Sequence, residues 1–363
     1  MKENHSFDNY FGMLGRGDGF TFDAEGVPVN SNPDIDGVPV PVHHLTSPWQ
    51  PWLGLDQHWN SSHLQWNSGK NDGFVRTTRS TAPMGYWTEE DLPFYYGLAR
   101  TFPIGDRYFA SCLAQTFPNR RFLQAGTAHG LVATRLLNPF EANPPAGTIW
   151  DQLHRHNVSW CNYFVELPEV GLYPRTLVDH PGHIQPMSAF YRDCGTGRLP
   201  AVSLITPDLF VISEGETQDV QLGEAFTADI VDAVLHSPHW ARTVLIITYD
   251  ENGGYFDHVP PPAAVPPDDV PPDIDVPPDQ AGGYDRLGFR VPTIVVAPFA
   301  KADHVSHVVY DHTSILKTIE RKWNLPPLTR RDAAAHDLLD FLDLTAPPAF
   351  LIPPDLPQPG LHR

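Results

Sequence analysis

The chain reads as an α/β protein, a sandwich with a mostly parallel central sheet flanked by helices and broken by irregular insertions. Short apolar runs recur at 201–206, 243–249 (TVLIITY) and 293–297 (TIVVA). Uninterrupted runs of this kind, rich in β-branched residues, mark strands covered on both faces. Between them lie segments whose apolar residues fall at helical spacing. Strands alternating with helices are the pattern of a parallel sheet with helices on its faces.

Each element has its own signal. Residues 148–157 read as a helix that runs into a strand at 160–165, and 201–206 is a short apolar strand. Residues 223–236 put Phe226, Ile230, Val231 and Val234 on one helical face. Residues 243–249 are the clearest buried strand, and 293–297 is another. Residues 311–323 read as a helix, with Asp311 as N-cap and Ile315, Leu316 and Ile319 on one face. Residues 20–100 are rich in Gly, Pro, Asn, His and Trp with weak periodicity, and are expected to form an irregular insertion. The chain holds 39 prolines, and nine of them fall within 260–278. That density excludes a helix interior or a central strand, so 260–280 is expected as an extended surface loop. Together, residues 1–346 are expected as one domain, followed by an extended tail at 347–363.

Composition narrows the function classes. The 363 residues include 24 Lys and Arg against 43 Asp and Glu, a net charge of −19. No basic stripe exists to release counterions from a phosphate backbone, which argues against a nucleic-acid partner. The same balance disfavours polybasic attachment to anionic lipid. No apolar run approaches the roughly 20 residues of a spanning helix. The three cysteines, Cys112, Cys161 and Cys194, allow one bridge at most and form no paired zinc motif.

Three features carry chemistry. Asp250 and Glu251 follow the strand at 243–249 directly, and ligands of open α/β sheets bind beyond the carboxyl ends of strands. Two adjacent carboxylates there form either a solvated acidic turn or part of a divalent metal site. Gly253 and Gly254 allow the chain to turn back, bringing Asp257 and His258, the latter a candidate proton donor or phosphate ligand. Glu3 and Asn4 are a second pair of oxygen ligands suited to a hard cation. Thr116 precedes Phe117 and Pro118, which reads as a helix start; its hydroxyl is either an ordinary N-cap or a nucleophile favoured by the helix dipole. Taken together, these residues describe metal-assisted phosphoryl transfer.

The motifs ENHSFDNYFG (3–12), GKNDGFV (69–75), DRYFASCLAQTFPNRRF (106–122), SEGETQDVQLGE (213–224), TYDENGGYFDHVPPP (248–262), GFRVPTIVVAPF (288–299) and YDHTSILKTIERKW (310–323) occur in order. This set resembles the bacterial phosphoesterase family of non-haemolytic phospholipases C and related acid phosphatases. The resemblance implies an alkaline-phosphatase-like fold and hydrolysis of phosphate esters through a hydroxyl nucleophile. It implies Thr116 as nucleophile and Glu3, Asn4, Asp250 and Glu251 as ligands of one divalent metal ion (Ca²⁺, Mg²⁺, Mn²⁺ or Zn²⁺). It implies His258 as the group that protonates the leaving alcohol, and His58 and Asp257 as substrate contacts, while His312 matches a mainly structural position.

Phospholipase C-type diester cleavage of a small-molecule or lipid substrate is the leading expectation. Monoester hydrolysis, as in the acid phosphatases, and a catalytically impaired binding protein are the alternatives. The resemblance also implies export to a secreted or periplasmic location. Trp49, Trp52, Trp59 and Trp66 are either packing residues or a cage for a quaternary ammonium. Two substitutions depart from the family pattern: Asn252 stands where DEHGG has histidine, and Glu214 stands where many members have a His-Pro segment. The family's apolar strand before the Glu-Asn pair has no counterpart here. Glu3 and Asn4 are therefore expected on a fraying terminus, with neighbouring strand edges exposed.

Overall fold

The computed structural model describes residues 1–50, 54–135 and 143–362; Trp52 lies outside them. The strands that frame the site are β1 (Ile104–Gly105), β2 (Trp160–Phe164), β3 (Ile184–Pro186), β4 (Val202–Thr206), β5 (Leu245–Thr248), β6 (Thr293–Val296) and β7 (Val305–Ser306). The helices that matter are α1 (Phe7–Phe11), α2 (Trp59–Trp66), α3 (Pro93–Thr101), α4 (Thr116–Ala125), α5 (Ile149–Arg155), α6 (Met187–Gly195), α7 (Val220–Leu235) and α8 (His312–Trp323). Strands and helices alternate through the middle of the chain, so the molecule is of the α/β class.

One sheet, in the order β3-β2-β4, is parallel throughout, with Trp160 opposite Val202 and Phe164 opposite Thr206. The other, in the order β7-β1-β6-β5, is mixed: β7 runs parallel to β1, and β6 runs antiparallel to both β1 and β5. The reason lies in the connection between β5 and β6. A parallel return needs a crossover, usually a helix. Here the connection is the proline-rich stretch, which holds no helix, and the chain comes back in the opposite direction.

The strand at 243–249 is less covered than its composition predicts. Leu245 and Ile246 are only half-buried and Val244 is exposed. On the outer flank of β5 the sole backbone partner among the described residues is Lys2, which bridges Tyr249 in the parallel sense. Lys2 N–H donates to the Thr248 carbonyl at 2.8 Å, and Asp250 N–H donates to the Lys2 carbonyl at 3.2 Å. Glu3 and Asn4 are thereby anchored beside the end of β5. They do not fray, because this backbone pairing and a buried Lys2 side chain hold them.

The largest apolar cluster joins α1, α3, α6 and α7 to β6, with Tyr10, Tyr95, Phe190, Val231 and Val295 among its members. A second cluster packs Leu123 of α4, Trp150 of α5, Trp160 of β2, Leu204 of β4 and Leu316 of α8. Asp311 caps α8, accepting from Thr313 N–H at 3.1 Å. The tail lies on the body: Trp240 Nε1–H donates to the Phe350 carbonyl at 2.8 Å, and Gly360 N–H donates to Glu224 Oε2 at 2.9 Å. Residues 20–100 hold α2, α3 and short pairings such as Ser31–Pro33 with Pro39–Pro41. All three cysteines are buried and free.

Candidate active site

The site is built where α4 begins. Gln115 takes the N-cap position and Thr116 is the first helical residue, so the threonine hydroxyl is not consumed as a cap. Pro118 sits in the first turn, where its missing N–H costs nothing. Asn119 fixes the approach to the helix. Its Oδ1 accepts from the N–H groups of Ser111 and Cys112 at 2.8 and 3.0 Å, and its Nδ2 donates to the Ala114 carbonyl at 2.8 Å. Thr116 is buried, and its Oγ1–H points at Asn4 Oδ1, 3.5 Å away.

Asn4 connects this helix start to the end of β5. Its N–H donates to Asp250 Oδ1 at 3.0 Å, and its backbone has a φ of 69°, a left-handed conformation that asparagine tolerates better than most residues. Gly253 makes room for it: a Cβ there would fall 2.1 Å from the Asn4 carbonyl oxygen. Glu3 Oε2 accepts from Ser213 Oγ–H at 2.7 Å. Glu251 Oε2 accepts from Gly253 N–H at 2.8 Å, while its Oε1 is buried with no hydrogen-bond partner. Burial, with the neighbouring Asp250 charge, raises Glu3 to about 7 and pushes Glu251 well above the usual carboxylate range. Two buried carboxylates raised by desolvation near Asp250, with one of their oxygens left without a partner, are a pattern that a bound cation would relieve.

Asp250 is anchored differently. Its Oδ1 accepts two backbone N–H groups, and its Oδ2 accepts Arg120 Nε–H at 2.9 Å. Arg120 Nη1–H donates to Glu169 Oε2 at 2.7 Å and Nη2–H to the Lys2 carbonyl at 3.1 Å. The guanidinium is buried; desolvation opposes its charge, but Asp250 and Glu169 outweigh that and hold it protonated. Sequence reasoning missed this residue, although two consecutive arginines in a chain with only 18% charged residues were a signal.

Glu214 was read only as a departure from the family pattern. It is fully buried, at a φ of 75°, and its carboxylate accepts the hydroxyls of Tyr10, Tyr95 and Tyr249 and pairs with Lys2 Nζ at 3.1 Å. Its carbonyl receives His5 Nε2 and Gln50 Nε2 at 2.8 and 2.7 Å. This network holds the chain at 213–215 against Glu3. Asn252, the other departure, closes a turn: its Nδ2 donates to the Tyr255 carbonyl at 2.9 Å.

His258 and Asp257 belong to a separate group. His258 Nδ1 pairs with Asp8 Oδ2 at 2.7 Å and its Nε2 with Asp18 Oδ1 at 3.3 Å. Arg290 bridges Asp8 and Asp257 at 2.9 and 2.8 Å. Asp257, expected as a substrate contact, is fully buried here as a counter-ion of Arg290. Asp8, Asp257 and His258 also form the one compact His/Asp trio among the described residues, with ligand atoms within 4.8 Å of one another; the carboxylates of Glu3, Asp250 and Glu251 do not close that tightly. Yet the trio's charge is already met by Arg290, whereas Glu251 Oε1 is not met at all.

No hydrogen bond or ion pair among the described residues joins His258 to Thr116 or to the Glu3–Asn4 pair. Burial disfavours the charged ring of His258, but the Asp8 hydrogen bond and charge outweigh it and raise the group to about 9 from 6.5. A raised folded-state value means that its stabilisation is complete below the unfolded value and fades as pH rises through the folded one. The urea midpoint of His258→Gln is therefore expected to lie furthest below the wild type at about pH 6 and to converge on it by about pH 10. A gap that stays constant over this range would count against the ion pair.

His58 lies at the start of α2, exposed, with Nδ1 2.6 Å from Asp56 Oδ1, an interaction that raises its pKa. Its Nε2 has no hydrogen-bond partner among the described residues. The Asp56 backbone packs on Gly254, where a Cβ would fall 2.6 Å from Asp56 N. Glu216, another residue missed in the sequence, is raised to about 7 by burial and by Asp56, and its charge in turn is felt by both His58 and Glu251. His312 is buried, with Nε2 2.7 Å from the Asp250 carbonyl, a structural position. Among the described residues Trp49, Trp59 and Trp66 form no common cage: Trp59 is buried in a cluster with Phe122 and Tyr284, Trp66 lies under Arg286 at 4.3 Å, and Trp49 is exposed.

The family model of the Phosphoesterase family matches residues 1–326. The chain belongs to the phosphoesterase family. This phosphoesterase is 33% identical over 409 residues to phospholipase C B of Mycobacterium tuberculosis, covering 96% of this chain and 77% of that one. It is 30% identical over 390 residues to non-specific phospholipase C1 of Arabidopsis thaliana, covering 99% and 72%. Among solved structures, a protein of the alkaline phosphatase superfamily from Vibrio parahaemolyticus aligns over 90% of this chain and 76% of its own, with 11% identity and a TM-score of 0.41, too weak a likeness to add weight. The phosphoesterase is a hydrolase acting on phosphate ester bonds. No helix among its described residues is long and apolar enough to cross a membrane.

Proposed function

We propose that this phosphoesterase cleaves phosphodiesters in the manner of a phospholipase C, with Thr116 Oγ1 as nucleophile and a divalent cation held by Glu3, Asn4, Asp250 and Glu251. One observation carries the reading: the Thr116 hydroxyl, at the positive end of a helix, meets Asn4 Oδ1, and Asn4 N–H meets Asp250, whose neighbour in sequence, Glu251, keeps a buried carboxylate oxygen without a partner. The relatives named phospholipase C support the diester over the monoester. When bound, the cation would neutralise phosphate oxygens and make the hydroxyl easier to ionise. An all-oxygen donor set favours Ca²⁺, Mg²⁺ or Mn²⁺ over zinc.

The chain's own residues supply the rest. Asn4 orients the hydroxyl, and Arg120 holds Asp250 in place. Attack by Thr116 on phosphorus forms a phosphothreonine, which water then hydrolyses. The alcohol leaves with a proton. His258 was expected to supply it, but both its ring nitrogens are held in ion pairs. His58, carboxylate-paired at Nδ1 and open at Nε2, is the better donor.

Hydrolysis of p-nitrophenylphosphocholine and of p-nitrophenyl phosphate, with and without chelator, tests the reading. Faster, chelator-sensitive release from the diester is expected. Faster release from the monoester would place the enzyme with the acid phosphatases. The raised Glu3 adds a pH dependence. Below about pH 7 a proton competes for its carboxylate, so Mn²⁺ affinity measured by calorimetry is expected to be weaker at about pH 6 than at about pH 8. Equal affinities at both would remove Glu3 from the ligand set.

A further inference from the structure

The loops that deliver the site residues also carry exposed apolar side chains. Val165 and Leu167 follow β2, two to four residues before Glu169, the partner of Arg120. Phe210 and Val211 follow β4, two or three residues before Ser213, the partner of Glu3. The two loops start side by side, with Val165 N–H donating to the Thr206 carbonyl at 3.2 Å. Trp49 precedes Gln50, whose side chain binds the Glu214 and Gly215 carbonyls. An extended chain spans at most about 3.6 Å per residue, so each tip lies within roughly 4–15 Å of a site contact.

The two aromatic tips stand out within the molecule. Trp49 at 56% and Phe210 at 69% are the aromatic residues more than half exposed among the described residues, and both flank the site. Leu167 is 53% exposed. Single exposed apolar residues are ordinary; aromatic and aliphatic tips on three converging segments are not. Tryptophan and phenylalanine are also the side chains that enter a lipid interface most readily.

Charge selects the surface. Residues 165–169 and 207–219 hold no lysine or arginine, and the acidic residues among them that reach solvent are Glu166, Asp208, Glu216 and Asp219, Glu169 and Glu214 being buried in ion pairs. Such a rim repels an anionic layer and attracts one whose outermost charge is a cation. We propose that Trp49, Leu167, Phe210 and Val211 form an interfacial surface that seats the enzyme on zwitterionic, choline-headed lipid, with the site opening toward the layer. This deepens the phospholipase reading and rests on it for its purpose, but not for its test.

The test is co-sedimentation of the full chain with phosphatidylcholine vesicles, and with vesicles in which part of the lipid is phosphatidylserine. Wild type is expected to partition onto the first and less onto the second. The double variant Leu167→Ser/Phe210→Ser is expected to lose about tenfold or more in partitioning. Its hydrolysis of soluble p-nitrophenylphosphocholine is expected to stay within about twofold of wild type, because neither residue touches the reacting groups. No partitioning by wild type, unchanged partitioning by the variant, or tighter binding with phosphatidylserine would each overturn the surface. So would a wild-type dimer, seen by light scattering, that the variant dissolves, since the tips would then serve a second copy. Absence of diester hydrolysis by wild type would sink the phospholipase reading alone, leaving the vesicle result to decide the surface.

Discussion

Thr116→Ala is expected to lose at least about 10⁴-fold in kcat on p-nitrophenylphosphocholine while remaining folded. The size follows from the proposed role: if Thr116 is the nucleophile, no covalent intermediate forms without its hydroxyl, and the other groups retain only their positioning of a water attack. The structure also says why the fold survives. The hydroxyl's one side-chain partner among the described residues is Asn4 Oδ1, at a long 3.5 Å, so little hydrogen bonding is forfeited. The change in unfolding free energy is expected to stay under about 1 kcal/mol. Thr116→Ser keeps a hydroxyl at the same helix position and is expected to retain measurable turnover. Residual activity above a tenth in the alanine variant would remove Thr116 from the mechanism.

Arg120→Ala is expected to destabilise the protein by about 3–5 kcal/mol, read as a fall in the urea midpoint. Both carboxylates it pairs, Asp250 and Glu169, are buried, so truncation leaves two charges without a counter-ion. It also unties the Lys2 carbonyl, and with it the chain that presents Glu3 and Asn4. Activity is therefore expected to fall together with stability. Lysine should rescue poorly, because a compact ammonium cannot span the three separated acceptors that the planar guanidinium fork reaches, Asp250, Glu169 and the Lys2 carbonyl. Pairing the variant with Glu169→Gln removes one orphaned charge, and the double variant is expected to cost less than the sum of the two single ones. A midpoint shift equivalent to under about 1 kcal/mol for Arg120→Ala would show that the buried pairs carry little weight.

Element types were legible because they depend on local pattern. The apolar spacing at 311–323 and the aspartate before it correspond to α8 and its cap. The strand at 243–249 was visible in its β-branched run, although that run says nothing about what lies beside it. Only the pairings show that, among the described residues, its outer flank meets Lys2 alone and that β6 runs antiparallel to it. The proline run at 260–278 held the reason for that reversal, since it leaves no room for a crossover helix.

The site divides in the same way. Glu3, Asn4, Thr116, Asp250 and Glu251 could be picked out by residue type and motif, because ligand chemistry is a property of the side chain itself. Which of them meet is another matter: Thr116 reaches Asn4 across 112 positions, and Asn4 reaches Asp250 across 246. The two histidines show the limit most plainly. His258 has the sequence context of a catalytic group, yet the fold surrounds it with Asp8, Asp18 and Arg290, while His58 keeps a ring nitrogen open. Arg120 and Glu214 carry ordinary charged side chains whose importance comes wholly from being buried among opposite charges and hydroxyls. Sequence determined the chemistry that was available, the strands and helices, and the acidic balance of the surface. Tertiary packing decided which charges lose water and which partners they then find, because desolvation and distance set the strength of every ionic contact.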